Sequence, residues 1–253
     1  MESSAVSAVV AACVFGGAML TMWAARALPS AHLSTEGRDV IKLAIALIAT
    51  LVALVLGLLI ATAKGTFDAQ TGATRQLAAN VLLLDRSLAG YGPDTDEARG
   101  LFREGVGETI ARLWPDDGSP AEILASHDTR SRMLVLYDAL AELTPQTDAQ
   151  RALKARAMQA MTDMAQTLFQ MYVQENSGLP VPFLFVVVFW LAILFAGYGL
   201  IAPRNATVVA VLLASTLSVS GAVFLILELA DPLNGLVRIS SAPMRQAFSQ
   251  LGG

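Results

Sequence analysis

One base and two acids stand where a strongly apolar chain would not carry them without cause. Glu228 falls inside Leu225-Ile226-Leu227-Glu228-Leu229-Ala230-Asp231-Pro232, a run in which an ionised carboxylate is costly unless water, a partner or a proton relieves it. Such a group is a functional suspect; snorkelling, or pairing with a base such as Arg238, would relieve it as well. Asp231 follows at the end of the run. Arg204 and Asn205 occupy the short connection Ala202-Pro203-Arg204-Asn205. Asn205 is placed to cap the next helix, and Arg204 to anchor at headgroup level. Together with the positive helix end, Arg204 could instead attract an anion. Ser218 lies in a stripe of small residues, Ala210, Ala214, Ser218 and Gly221 or Ala222, with Ser215, Thr216 and Ser220 beside it. Small residues let helix backbones approach closely, so the stripe reads as a packing face rather than a pore lining. Arg204, Asn205, Ser218, Glu228 and Asp231 are thus the candidate functional residues.

Other chemistry finds little footing. The single cysteine, Cys13, sits in an apolar run and permits no intrachain disulfide. His32 and His127 are far apart and give no metal-ligand spacing. There is no Gly-rich phosphate loop, no Gly-x-Ser-x-Gly elbow and no spaced Ser, His and Asp set. Asp85-Arg86 and Asp128-Thr129-Arg130 read as surface ion pairs. The expectation is a protein that is not an enzyme and holds no metal or cofactor.

The candidates are carried by four uncharged apolar stretches, residues 3–25, 43–63, 179–201 and 206–227. A hydrocarbon core of roughly 30 Å is crossed by about 20 apolar residues of helix, and helices satisfy their own backbone in lipid. With 55% apolar and only 15% charged residues over 253 positions, the chain reads as an integral, multi-pass protein whose first partner is the lipid bilayer. The first stretch lacks a basic leader, which favours a span over a signal peptide. The fold class is all-α: transmembrane helices at about 4–26 and 41–63, a helical-bundle insert at 64–178, transmembrane helices at about 180–201 and 206–229, and an interfacial segment at 231–253. In span 3, Phe183, Phe185, Phe189, Trp190, Phe195 and Tyr198 are expected to face lipid or fill a helix interface. Basic residues near the span ends divide four against four between the two sides. The flanks of the first helix tip the insert slightly to the outside.

Within the insert, Leu77, Val81, Leu84 and Leu88 mark one face of a helix from about Thr74, and Ala89-Gly90-Tyr91-Gly92-Pro93 ends it. No proline interrupts residues 40–65, so span 2 is expected to run straight into this helix for about 50 residues, roughly 75 Å. Asp94 or Thr95 would cap a second helix carrying Leu101, Phe102, Val106, Ile110 and Leu113. Trp114 opens a loop to Pro120, and further helices are expected at about 130–143 and 147–175. Pro180 and Pro182 predict a kink or linker before span 3. Residues 64–177 hold 11 Lys or Arg against 16 Asp or Glu, net −5, without basic runs. That balance is against nucleic-acid binding.

Several of these strings resemble one family. Pro203-Arg204-Asn205-Ala206-Thr207, the run from Leu217 to Leu229, Asp231-Pro232 and Ile239-Ser240-Ser241-Ala242-Pro243-Met244 look like the C-terminal signature of the bestrophin-like family of bacterial membrane proteins. Leu84-Asp85-Arg86-Ser87-Leu88, Tyr91-Gly92-Pro93 and Trp114-Pro115 are similar to its middle region. Bestrophins are pentameric anion channels with four spans per subunit and a helical cytoplasmic part, so the resemblance implies a homo-oligomer with the insert and both termini inside. The acidic calcium clasp of bestrophins has no clear counterpart: Asp116-Asp117-Gly118 and Asp94-Thr95-Asp96-Glu97 read as a loop and a helix cap. Two functions follow as expectations, an oligomeric bestrophin-type anion channel or a membrane-anchored sensor or scaffold whose insert binds a partner or ligand.

Overall fold

In the computed structural model, residues 3–27, 35–114, 127–175, 181–232 and 235–252 are described. Among them there are eight α-helices and no strand: α1 (Ser3–Ala24), α2 (Thr35–Tyr91), α3 (Asp96–Leu113), α4 (His127–Glu142), α5 (Asp148–Glu175), α6 (Val181–Ile201), α7 (Ala206–Ala230) and α8 (Ala242–Ser249). Four helices are long and apolar enough to cross a membrane: α1, α2, α6 and α7. As the missing prolines predict, span 2 and the first insert helix form one helix of 57 residues. His32, the chain after Trp114 up to residue 126, and the expected linker at residues 176–180 lie outside the described residues. Pro182 falls in the first turn of α6, where proline is tolerated.

The chain divides into two compact units. The first comprises Met1–Gly65 and Leu179–Ala230, the second Thr66–Gly178 and Asp231–Gly253.

In the first unit, α1 packs against α6 and α7. It buries Val10, Val14, Ala18 and Met22, every fourth residue and therefore one face. From α2, Ile45, Val52 and Leu59 recur every seven residues in the same core, with Val187, Leu191 and Phe195 of α6 and Leu212, Val223 and Ile226 of α7. Polar ties fix the directions. Thr21 donates to the Ala196 carbonyl at 2.8 Å, so α1 and α6 end together. Ser220 donates to the Ser7 carbonyl at 2.6 Å, so α7 runs back along α1. Gly199 of α6 lies so close to α1 that a Cβ on it would sit 2.2 Å from the Ala18 carbonyl oxygen. The aromatics of span 3 divide as expected between surface and interface: Phe183, Phe185, Phe189 and Tyr198 are exposed, and Phe195 is buried.

In the second unit, Leu77, Val81, Leu84 and Leu88 of α2 form a core with Phe102, Val106 and Ile110 of α3, Leu140 of α4 and Ala157, Met161 and Met164 of α5. The helix starts differ in detail from the expectations. Thr95 precedes α3 but its side chain caps nothing there; it donates to the carbonyls of Leu88 and Gly92 at 2.7 and 2.8 Å, closing the turn back on α2. Gly92 holds a φ of 123° in that turn, open to glycine at no steric cost. Thr147 does cap α5, accepting from Gln150 N at 3.1 Å. Asp85, expected to pair with Arg86, reaches Arg99 of α3 instead, Nε to Oδ1 at 3.0 Å and a second contact at 3.4 Å. The C-terminal segment, expected at headgroup level, buries Met244, Ala247 and Leu251 in the bundle core. Trp114 Nε1 donates to the Ile239 carbonyl at 2.8 Å, fastening it to the end of α3.

Candidate functional site

The two ends of α7 carry the sequence candidates, and the structure keeps them apart. Arg204 and Glu228 are separated by roughly 35 Å of helix at 1.5 Å per residue, so they cannot act on one small ligand. At the first end, Asn205 is the expected cap: its Oδ1 accepts from Val208 N at 2.8 Å. Replacing Asn205 with alanine removes that acceptor and is expected to cost about 1 kcal/mol. Thermal unfolding in detergent should register about 2–4 °C, with Asn205→Asp near wild type because a carboxylate caps as well. Arg204 departs from the expectation. Its Nε donates to the Met22 carbonyl at 3.0 Å, satisfying an acceptor in the last turn of α1. It ties the hairpin to α1 as well as standing at a cleft of about 280 Å³ that it shares with Arg26, Met19, Met22 and Trp23. Two guanidinium groups and the positive end of α7 give that cleft an electropositive wall.

At the other end, Glu228 is buried at 4% exposure and is held by a polar or electrostatic contact. Asp231 is exposed and likewise partnered. Asp96 and Glu97 lie in the first turn of α3, where the helix dipole favours acids; Asp116 and Asp117 lie outside the described residues.

Between those ends, the small stripe of α7 is not the face that packs within the chain. Leu212, Thr216, Ser220, Val223 and Ile226 face the core, whereas Ala210, Ala214, Ser218 and Gly221 are exposed on the chain's own surface. Ser218 donates to the Ala214 carbonyl of its own helix at 3.0 Å. The packing within the chain is made by the other face, whose larger side chains make the van der Waals contacts and whose Ser220 adds the hydrogen bond to α1.

Sequence reasoning missed a second uncovered stripe, on α2. Ala46, Thr50, Ala53, Gly57 and Ala61 are all exposed, and at 3.6 residues per turn they fall on one line roughly opposite the core residues Ile45, Val52 and Leu59. The large exposed residues Leu43, Leu47, Leu54 and Leu58 border that line on one side. Span 2 thus presents a core face and, on its uncovered side, a line of small residues flanked by a bulky apolar edge suited to lipid. The spacing of four, three, four and four was the signal, hidden by the uniform hydrophobicity of the segment.

A four-span chain of this kind, with a helical insert inside the α2 to α6 connection, is matched by the model of the bestrophin-like domain over residues 12–244. The chain belongs to the bestrophin-like family. Solved structures carry the same fold. A variant of a bacterial bestrophin homologue from Klebsiella pneumoniae superposes with a TM-score of 0.69 at 13% identity, covering 96% of each chain. A second variant gives 0.67 at 14% identity over 94% of this chain and 97% of the other, and the homologue phased on zinc gives 0.66 at 14% over 93% and 96%. No curated protein matches the chain. The bestrophin-like chain therefore shares its arrangement of helices with these homologues across nearly its whole length, while its side chains are largely its own.

Proposed function

We propose that this bestrophin-like protein is an oligomeric anion channel of the bacterial plasma membrane rather than an enzyme, with α2 lining the pore and α7 packing between subunits. The uncovered line Ala46, Thr50, Ala53, Gly57 and Ala61 carries the reading. In a lone subunit it has nothing to do that the bulky Leu edge does not do better against lipid. In a ring, small side chains leave the bore open and offer backbone and hydroxyl groups to a partly hydrated ion. The exposed small residues of α7 let neighbouring backbones approach closely. Arg26 and Arg204 at the cleft between α1 and α7 raise the local anion concentration.

Purified oligomer reconstituted in chloride-loaded liposomes is expected to release the anion faster than protein-free vesicles. Gly57→Leu, which fills the proposed bore, should remove well over half of that flux, and Leu54→Ala on the bulky edge should leave it unchanged. A verified oligomer without flux would sink the reading. Equal flux from the Gly57→Leu and wild-type proteins would move the pore away from α2.

A further inference from the structure

We propose that the cleft between α1 and α7 seats the phosphate of an anionic glycerophospholipid, held by Arg26 and Arg204 at the level where two spans end. Such a seat needs the bilayer but no ion flow. Its uncommitted polar groups are donors. The Arg26 side chain makes no hydrogen bond or ion pair among the described residues, so its whole fork of N–H groups is open to a ligand. Arg204 spends Nε on the Met22 carbonyl at 3.0 Å, and that bond fixes where its two terminal amino groups stand. Asn205 turns its Oδ1 to Val208 N at 2.8 Å, which leaves its amide nitrogen as a further donor. The backbone N–H of Ala206, in the first turn of α7, has no partner within its own helix. Among the described residues no acid lines the cleft. A wall of donors without a free acceptor selects an oxyanion, and guanidinium forks match phosphate in particular. With two positive charges against one, the occupied cleft keeps a positive surplus.

The other half of the cleft selects the carrier. Met19, Met22 and Trp23 of α1 and Val209 of α7 line it, and both helices are membrane spans by length and composition. Met19 lies roughly 7 Å short of the end of α1 at Ala24, and Arg26 lies just past that end. The cations therefore stand at headgroup depth, and the apolar wall runs down from them along the hydrocarbon. Leu20 and Trp23 are 68% and 69% exposed, so the chain leaves this flank of α1 uncovered, with an indole where membrane interfaces favour one. A free phosphate would use the donors and leave the apolar wall idle. A phospholipid uses both. A choline or ethanolamine head would bring its own cation to a wall without an acid, so a net-anionic head such as phosphatidylglycerol fits better.

The test reconstitutes the full-length protein in phosphatidylcholine vesicles carrying rising fractions of phosphatidylglycerol brominated near the top of its acyl chains, or of phosphatidylcholine brominated in the same place. Bromine quenches tryptophan on contact, and the signal of Trp23 is the difference between the wild-type protein and Trp23→Phe. Brominated phosphatidylglycerol is expected to saturate that signal with a preference of about fivefold over the choline lipid, the upper range of an exposed ion pair. Arg204→Gln should lower the preference but also loses the bond to Met22, so Arg26→Gln, which breaks no bond among the described residues, is the deciding variant. It should remove more than half of the preference, and Arg86→Gln, at an exposed base of the second unit, should leave it unchanged. Equal quenching by the two lipids would overturn the proposal, as would a preference untouched by Arg26→Gln. Inorganic phosphate in excess is expected to leave the quenching in place. Release of the brominated phosphatidylglycerol by that phosphate would assign the donors to a free anion and overturn the lipid as its carrier.

Discussion

Arg99→Met is expected to destabilise the second unit by about 3–5 kcal/mol, the range for removing one partner of a buried ion pair. Asp85 is the more deeply buried member: its side chain is 9% exposed against 20% for Arg99. Without the guanidinium, a short carboxylate is left in a core it cannot leave, beside Leu84 and Leu88 of its own helix. The reverse change is expected to cost less. In Asp85→Ala the long Arg99 side chain can lift its head towards solvent along its aliphatic stem. Replacing both, as Asp85→Leu with Arg99→Met, should recover most of the loss, because a well-packed apolar pair often matches a buried ionic one. Thermal unfolding in detergent checks all three. At about 2–4 °C per kcal/mol for a chain of this size the single variant falls by roughly 10 °C. Additive losses in the double variant would show that the pair contributes nothing as a pair.

The same residues show what the sequence carried and what it did not. Periodicity revealed α2, α3 and α5 and the core positions Leu77 to Leu88, because burial of one face imposes a step of three or four that polar residues cannot imitate. It could not say that Asp85 meets Arg99 rather than Arg86, since Arg99 is fourteen positions further along the chain and beyond a turn. Nor could it place α8, whose alternation suits a membrane surface and a protein core equally. In the first unit the local signals fared best where the physics is local. Asn205 caps α7 as any asparagine before a helix can. Arg204 reaches Met22 across the bundle, and nothing near Arg204 in the chain foretells it.

That the stripe on α7 is not used within the chain was illegible for a related reason. In water, a small-residue face among larger ones is a candidate for burial; in a lone membrane subunit every face is apolar, and hydropathy does not rank them. Packing within the chain selected the bulkier side. The small faces of α2 and α7 were left for neighbours that a single sequence does not display.

Gly199→Ala is expected to break the contact between α1 and α6. The added methyl would stand 2.2 Å from the Ala18 carbonyl oxygen and 2.4 Å from Thr21 Oγ1, and the first of these is backbone, which no rotamer change can withdraw. Relief requires the helices to separate. That would stretch the bond from Thr21 to the Ala196 carbonyl, now 2.8 Å, and open voids around Ala18, which is fully buried. Overpacking costs typically 1–3 kcal/mol and occasionally more, and the upper end applies where backbone meets backbone. Gly197→Ala is the control two residues away. Its methyl would meet Ile45 Cδ1 at 2.7 Å and Cγ1 at 2.8 Å, atoms of a buried side chain that has to shift but carries no backbone with it, so a loss of about 1–2 kcal/mol, smaller than at Gly199, is expected there. Unfolding in detergent should therefore rank Gly199→Ala well below Gly197→Ala, with Ala18→Gly giving the first variant no relief because the clash is with the carbonyl and not the side chain. Equal stability of the two glycine variants would mean that α1 and α6 do not approach as closely as Gly199 allows, and the polar tie at Thr21 would then have to hold the pair alone.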